Sequence, residues 1–268
     1  MERMKELIRL LNEAAKAYYQ ESREIMPNYE YDKLYDELTE LEKKTGITLS
    51  NSPTIRVGYE VLSDLPKEKH PKKMLSLDKT KDVGALAAWL GSQEGVLSWK
   101  LDGLTIVLTY EEGKLAKAVT RGNGEIGEVI TSNAKTFENL PLAIDFKGQL
   151  VLRGEAVISY ADFEKINDEI TDEGAKYKNP RNLCSGSVRQ LNNEITAQRH
   201  VQFFAFSLVS ADVVEFKTRN EQFDWLAERG FQVVEHVSVT AETIADAVSA
   251  FEAKIADNPV PSDGLVLS

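Results

Sequence analysis

With a single cysteine, Cys184, the chain cannot form an internal disulfide, and its three histidines, His70, His200 and His236, are too scattered to give zinc-site spacing with it. Long apolar runs are missing too. No stretch approaches the roughly 18 residues that a membrane span needs, and Met1 to Tyr19 is charged and amphipathic rather than signal-like. These absences predict a cytoplasmic protein with no membrane partner, expected to be a monomer. Positive charge is scarce: 32 Lys and Arg stand against 43 Asp and Glu, a net charge of −11. That balance excludes nucleic-acid binding through a general basic field and requires any phosphate contact to be local. What is present, 42% hydrophobic and 28% charged residues over 268 positions, suits a globular chain with one large domain and a small one.

The most informative stretch is Val96 to Tyr110, VLSWKLDGLTIVLTY, which reads as a largely buried β-type run interrupted by Lys100, Asp102 and Gly103. An ammonium inside such a run loses hydration and is retained only with a partner or a task. The plainer alternative is a lysine emerging at a strand end before a turn. Upstream, Met4, Leu7, Ile8, Leu11, Ala15 and Tyr18 predict an amphipathic helix ending near Tyr19. A second helix is predicted after Pro27, with Asn28 as N-cap, an apolar stripe from Tyr31 to Leu41 and a stop at Gly46. Taken alone, Tyr18, Tyr19, Tyr29, Tyr31 and Tyr35 read as packing residues. The polar stretch from Asn51 to about Lys73 reads as a linker, and Met74 to Asp78 as a strand end before a short helix through Trp89.

Beyond Lys100, Glu112-Gly113 between two β-type runs predicts a hairpin, after which Arg121 leads into the turn Gly122-Asn123-Gly124-Glu125-Ile126-Gly127. Such a turn lets backbone approach a phosphate or ribose. Gln149 to Ile158 is a strand on which Arg153 and Glu155 share a face and can form a simple ion pair. Ala175 to His200 carries Lys176, Lys178, Arg181, Arg189 and Arg199 against Glu194 alone. It is either the local phosphate contact or a solvated basic loop. Val201 to Leu208 is an aromatic-rich strand, and a helix, a strand and a helix then lead to a last strand, Gly264 to Leu267.

Lys100-Leu101-Asp102-Gly103, Thr120-Arg121-Gly122-Asn123-Gly124, Arg153-Gly154-Glu155 and Asp263-Gly264-Leu265-Val266-Leu267 follow one another in the order used by nucleotidyltransferases that charge their own lysine. Together with the N-terminal helices they resemble the NAD-dependent DNA ligases, over nearly the whole chain. The resemblance implies an α+β nucleotidyltransferase fold (the ATP-grasp-like ligase adenylation fold) with antiparallel sheets, preceded by a small helical module. Residues 1–70 would then be the helical module that binds nicotinamide mononucleotide (NMN), with its linker. Residues 71–268 would be the adenylation domain, truncated at its C-terminal end relative to that family and so not expected to seal a nick by itself.

The resemblance also implies roles. Lys100 is the nucleophile and Asp102 orients it or helps place a metal. Tyr18, Tyr19, Asn28, Tyr31 and Asp32 hold the NMN half of NAD, an aromatic face and a carboxylate suiting a pyridinium ribonucleotide. Ser76, Leu77, Ser98, Arg121, Glu155 and Phe206 hold the adenylate: Glu155 takes the ribose hydroxyls, Phe206 stacks on adenine, and Ser98, on the strand face of Lys100, reaches the base edge. Arg181 and Arg189 contact nicked duplex DNA. The expected cofactors are NAD and magnesium, the latter neutralising charge on the transferred phosphoryl group, and no protein-built metal site is expected. A lysine of ordinary pKa near 10.4 costs roughly 4 to 5 kcal/mol to deprotonate at pH 7, a cost that burial, Arg121, a metal ion and the pyridinium would each reduce. The chain departs from the family pattern at Tyr19 (usually His), Asn28 and Asn123 (usually Asp), Val129 (usually Asp), Ser98 (usually Glu) and Ser268 (usually Lys). Serine in place of glutamate at 98 predicts looser discrimination between 6-amino and 6-oxo purines. Two rival readings stay open: an ATP-dependent lysine nucleotidyltransferase, and a nucleotide-binding homologue that no longer catalyses.

Overall fold

The computed structural model of the chain describes residues 1–21, 25–55, 62 and 64–268. Its helices are α1 (Glu2–Glu21), α2 (Asn28–Thr45), α3 (Val83–Leu90), α4 (Thr131–Ala134), α5 (Tyr160–Glu169), α6 (Pro180–Val188), α7 (Asn193–Ala197), α8 (Arg219–Glu228) and α9 (Ile244–Ala253). Its strands are β1 (Thr48–Leu49), β2 (Lys67–Lys69), β3 (Gly95–Leu101), β4 (Leu104–Glu111), β5 (Lys114–Thr120), β6 (Ile126–Glu128), β7 (Pro141–Ala143), β8 (Leu150–Val157), β9 (Gln202–Ala211), β10 (His236–Val239) and β11 (Ser262–Leu267). The architecture is α+β. A six-stranded sheet runs β1-β7-β5-β4-β8-β9, a three-stranded sheet β10-β3-β11, and β2 pairs with β6. Every pairing between these strands is antiparallel.

The expected amphipathic pair is present and has its own core. Met4, Leu7, Ile8 and Leu11 of α1 meet Leu38 of α2, with Ile47 and Leu49 beneath, all buried. The start of α2 corrects one expectation. Pro27 occupies the cap position with φ −60° and ψ 145°, no side chain caps the helix, and Asn28 is the first helical residue. Gly46 ends it as expected, in the left-handed region at φ 69°, its N–H donating to the Glu42 carbonyl. The next two residues but one, β1, pair with β7 through Thr48 and Ala143, so the helical pair is joined to the edge of the large sheet.

The large sheet buries one face. Ile106, Leu108, Leu150, Leu152, Phe203 and Ala205 project into a core closed by Phe137, Leu140, Leu183, Val188 and Leu226. Truncating one of the leucine, isoleucine or phenylalanine side chains among them to alanine costs about 2 to 5 kcal/mol. The small sheet is organised around β3, whose Trp99 meets Phe251 of α9 edge-on at 4.8 Å. Alternation therefore turns Ser98 and Lys100 to the opposite face of the small sheet.

The structure revises four further readings. The run from Val96 to Tyr110 is two strands in different sheets, parted at Asp102-Gly103. Met74 to Asp78 lies in no strand, whereas the stretch read as a linker contains β2. The basic segment folds as α6 and α7 rather than as a loop. Asn179 caps α6 by accepting from the Asn182 N–H at 2.8 Å, Pro180 stands in its first turn, and Asn192 caps α7.

Candidate functional site

Lys100 is the penultimate residue of β3, where the two main sheets meet. Its Nζ donates to Oδ2 of Asp263 at 2.5 Å, with the side chains 37% and 58% exposed. The strand pairing explains this contact between residues far apart in sequence. Ser262 is opposite Leu101 and Leu265 opposite Trp99, so the register slips by one residue and the slip carries Asp263 to the lysine. The ammonium holds the Asp263 carboxyl below the usual carboxylate range, chiefly through this hydrogen bond. Asp102, expected to serve Lys100 or a metal, accepts from Nη1 of Arg181 at 2.8 Å, while its N–H donates to the Pro261 carbonyl.

After Asp102 the chain crosses to the large sheet through Gly103. A Cβ here would lie 1.9 Å from the Ala156 carbonyl oxygen, so only glycine lets β4 start this close to β8. The Gly103 N–H donates to Oε1 of Glu155 at 3.1 Å, and the Thr105 hydroxyl donates to Oε2 at 2.8 Å. Glu155 is 9% exposed. Burial outweighs these two donors and pushes its pKa up to about 7. Glu155 makes these bonds rather than the possible ion pair with Arg153, whose Nε is buried without a hydrogen-bond partner among the described residues.

The glycine-rich turn is built to a defined shape. Gly122 has φ 56°, and a Cβ would meet the Ile126 carbonyl oxygen at 1.9 Å. Asn123 Oδ1 accepts from the N–H groups of Glu125 and Ile126 at 3.0 and 2.9 Å, so an amide supplies the acceptor that the turn needs without a charge. Two anchors hold the turn from outside. Met74 donates its N–H to the Gly124 carbonyl, and its own carbonyl accepts from Arg121 Nη2 at 3.4 Å. His70, buried, sets Nε2 3.1 Å from both the Thr120 and Arg121 carbonyls.

These elements surround a cavity of about 540 Å³. Arg121, Arg181, Arg189 and Lys67 line it with Glu128 and Glu155, which makes it locally cationic in an acidic chain. Arg189 holds Glu128 through two bonds of 2.5 and 2.9 Å. The cavity thus brings together Arg121, Glu155, Arg181 and Arg189. Lys100, Asp102, Ser98 and Phe206 are not among its lining residues; they lie on the adjoining wall between the sheets. There Ser98 is 6% exposed, and Phe206 packs against the buried cluster of the small sheet, to which Phe223 belongs. Ser76 and Leu77 are exposed, two and three residues beyond the anchored Met74. Of the residues expected to grip NMN, Tyr31 is half-buried and stacks on Tyr35 with centroids 6.4 Å apart, and Asp32 is exposed. The side chains of Tyr18, Tyr19 and Asn28 lie outside the described residues. A second cavity, of about 300 Å³, lies between α1 and the large sheet, lined by Lys5, Glu138 and Gln232 among others. It contains none of the expected site residues.

Sequence reasoning named Asp263 only as part of a motif and missed His70 and Thr105. The Asp-Gly pair before the last strand was a signal for the first; a lone histidine in a polar stretch gave none for the second. Among the described residues no three or more His, Cys, Asp or Glu side chains converge on one point. The carboxylates beside Lys100 are Asp263 and Asp102, a donor set of the size used by an ion that takes one or two carboxylates plus substrate phosphates.

Residues 62–268 match a family model described as the NAD-dependent DNA ligase adenylation domain, and residues 1–58 match the N-terminal NAD⁺-binding domain of DNA ligases. A DNA ligase of Lachnoclostridium phytofermentans is 65% identical over 99% of this chain and 41% of its own length. One from Ruminiclostridium cellulolyticum is 65% identical over 99% of this chain and 40% of its own. One from Alkaliphilus metalliredigens is 35% identical over the whole chain and 42% of its own. The chain therefore spans about two-fifths of the length of these relatives.

Proposed function

The chain belongs to the NAD-dependent DNA ligase family, and from that premise we propose that it carries out the first half-reaction of DNA joining, transfer of AMP from NAD to Lys100. Lys100 Nζ attacks the adenylyl phosphorus; a P–N bond forms, the pyrophosphate P–O bond breaks, and NMN leaves with the electron pair. The nucleophile must first shed a proton. Asp263 is the carboxylate within hydrogen-bond reach, and its exposure gives that proton a path to water. The observation that carries this reading is the Lys100–Asp263 pair, set at the junction of two sheets beside a cationic cavity in a chain of net charge −11.

The other groups take roles that suit their chemistry. Glu155, an acceptor already aimed by Gly103 and Thr105, receives the ribose hydroxyls. Arg121 stabilises the phosphates, and Phe206 and Ser98 bound the base. Tyr31 and Asp32, with Tyr18, Tyr19 and Asn28, recognise NMN. A magnesium ion bound with the substrate would supply charge neutralisation at the transferred phosphoryl group. Arg181 and Arg189 exchange Asp102 and Glu128 for DNA phosphates at a nick. On this reading the chain serves DNA replication and repair in the cytoplasm. Donor choice tests the proposal: incubated with NAD, the chain should release one equivalent of NMN and gain AMP, whereas ATP should leave it unmodified. Modification by ATP and not by NAD would refute it.

A further inference from the structure

Residue 98 lies on the β3 face that carries Lys100, and its lateral neighbours are fixed by the small sheet: His236 of β10 on one side and Val266 of β11 on the other. The Trp99 N–H donates to the Glu235 carbonyl at 3.2 Å, which makes Trp99 and Glu235 a hydrogen-bonded pair. The next pair, Ser98 and His236, is therefore of the non-hydrogen-bonded kind, in which facing side chains approach most closely, with Cβ atoms about 4.5 to 5.5 Å apart. The imidazole is held on two sides. Phe223 of α8 meets it edge-on at 4.6 Å. Its Nδ1 lies 2.8 Å from the Val234 carbonyl oxygen. A carbonyl only accepts, so Nδ1 carries the hydrogen, and Nε2 of the neutral ring is left as a bare acceptor.

We propose that His236 reads the purine of the nucleotide donor, its Nε2 accepting a hydrogen bond from the 6-amino group of adenine. The inference rests on the adenylation reading. That reading puts the phosphate at Lys100 and the ribose at Glu155, which leaves the wall formed by Ser98, His236 and Phe206 for the base. A 6-oxo purine turns an acceptor toward Nε2 and loses that bond. The acceptor that serine at 98 lacks as a fixed property thus comes from the neighbouring strand, and it counteracts the looser base choice that the sequence alone predicts.

The test compares adenylation by NAD with inosinylation by its hypoxanthine analogue, and AMP binding with IMP binding by calorimetry, in the intact chain, His236→Phe, His236→Gln and Val237→Ala. Phenylalanine keeps the contact with Phe223 and removes the acceptor. The preference for adenine should fall by about three- to tenfold, mainly through KM. Glutamine, whose amide oxygen can accept, should restore part of it. Val237→Ala, on the opposite face of β10, should leave the preference unchanged. An unaltered preference in His236→Phe, or no preference in the unsubstituted chain, overturns the proposal. If neither dinucleotide modifies the unsubstituted chain, the adenylation reading fails, and the AMP-to-IMP binding ratio across the same variants still decides the role of His236.

Discussion

Replacing Glu155 by glutamine tests the electrostatics at the centre of the site. Burial raises this carboxyl from 4.5 to about 7, so the folded protein favours the protonated form relative to the unfolded chain. A raised pKa contributes stability that is fully present below the unfolded value and is lost as pH rises through the folded one. The window is therefore pH 4.5 to 7. At roughly 1.4 kcal/mol per tenfold in proton affinity, the contribution lost across it is about 3 kcal/mol. Glutamine does not titrate. Its oxygen can keep the bond from the Gly103 N–H, and the Thr105 hydroxyl can rotate to accept from its amide, at a pH-independent cost of about 1 kcal/mol. Relative to the parent, Glu155→Gln should be level or slightly less stable at pH 4.5 and about 2 kcal/mol more stable at pH 8. Urea unfolding at half-unit intervals between these limits measures the difference. A difference that stays constant within about 0.5 kcal/mol would show that Glu155 does not titrate in this range and that its burial is not the dominant influence. Nucleotide should act the other way: ribose hydroxyls donate to the ionised carboxylate, so AMP binding to the parent should strengthen as pH rises through 7, and Glu155→Gln should flatten that profile.

Cys184 gives an independent check on the core beneath the site. Its thiol is fully buried, bonded to the Ala156 carbonyl and pushed up in pKa by that burial, so iodoacetamide should label it only after denaturation; rapid labelling of the native chain at pH 8 would contradict the packing of α6 on β8. Arg181→Ala and Arg189→Ala should each weaken nicked-DNA binding and lower the slope of log affinity against log salt by about one; an unchanged slope in both would remove the arginines from the proposed DNA contact. Asp263→Asn should slow adenylation at neutral pH and recover partly at higher pH, because a base in solution then replaces the carboxylate; a rate loss independent of pH would assign Asp263 another task.

Local features of the site were legible in the sequence and cross-chain ones were not. The Glu112-Gly113 turn and the Gly46 stop depend on short-range backbone chemistry, and both stand where the residues predicted. The strand character around Lys100 was equally plain, and the reading of a lysine at a strand end before a turn matches the break at Asp102-Gly103; that the two strands enter different sheets was hidden, because the approach of Ala156 from β8 sets it. The partner of Lys100 was obscured in the same way: Asp102 is two residues away, but Asp263 wins through a register slip in β11 that only the paired strands define. In the segment from Ala175 to His200 charge left two readings open, a local phosphate contact or a solvated loop; Asn179-Pro180 and Asn192 were cap signals for the helices that form, and Arg181 is neutralised from a distant strand end by Asp102. His70 was invisible because it works through backbone carbonyls of a turn fifty residues on.

Intact-mass analysis of the purified chain after incubation with NAD and magnesium, followed by peptide mapping, decides whether Lys100 is the nucleophile. One added AMP is expected, located on Lys100 and absent from Lys100→Ala, with Glu155→Ala lowering its yield without moving it. An unmodified mass at saturating NAD, or an adduct on any other residue, would contradict that role.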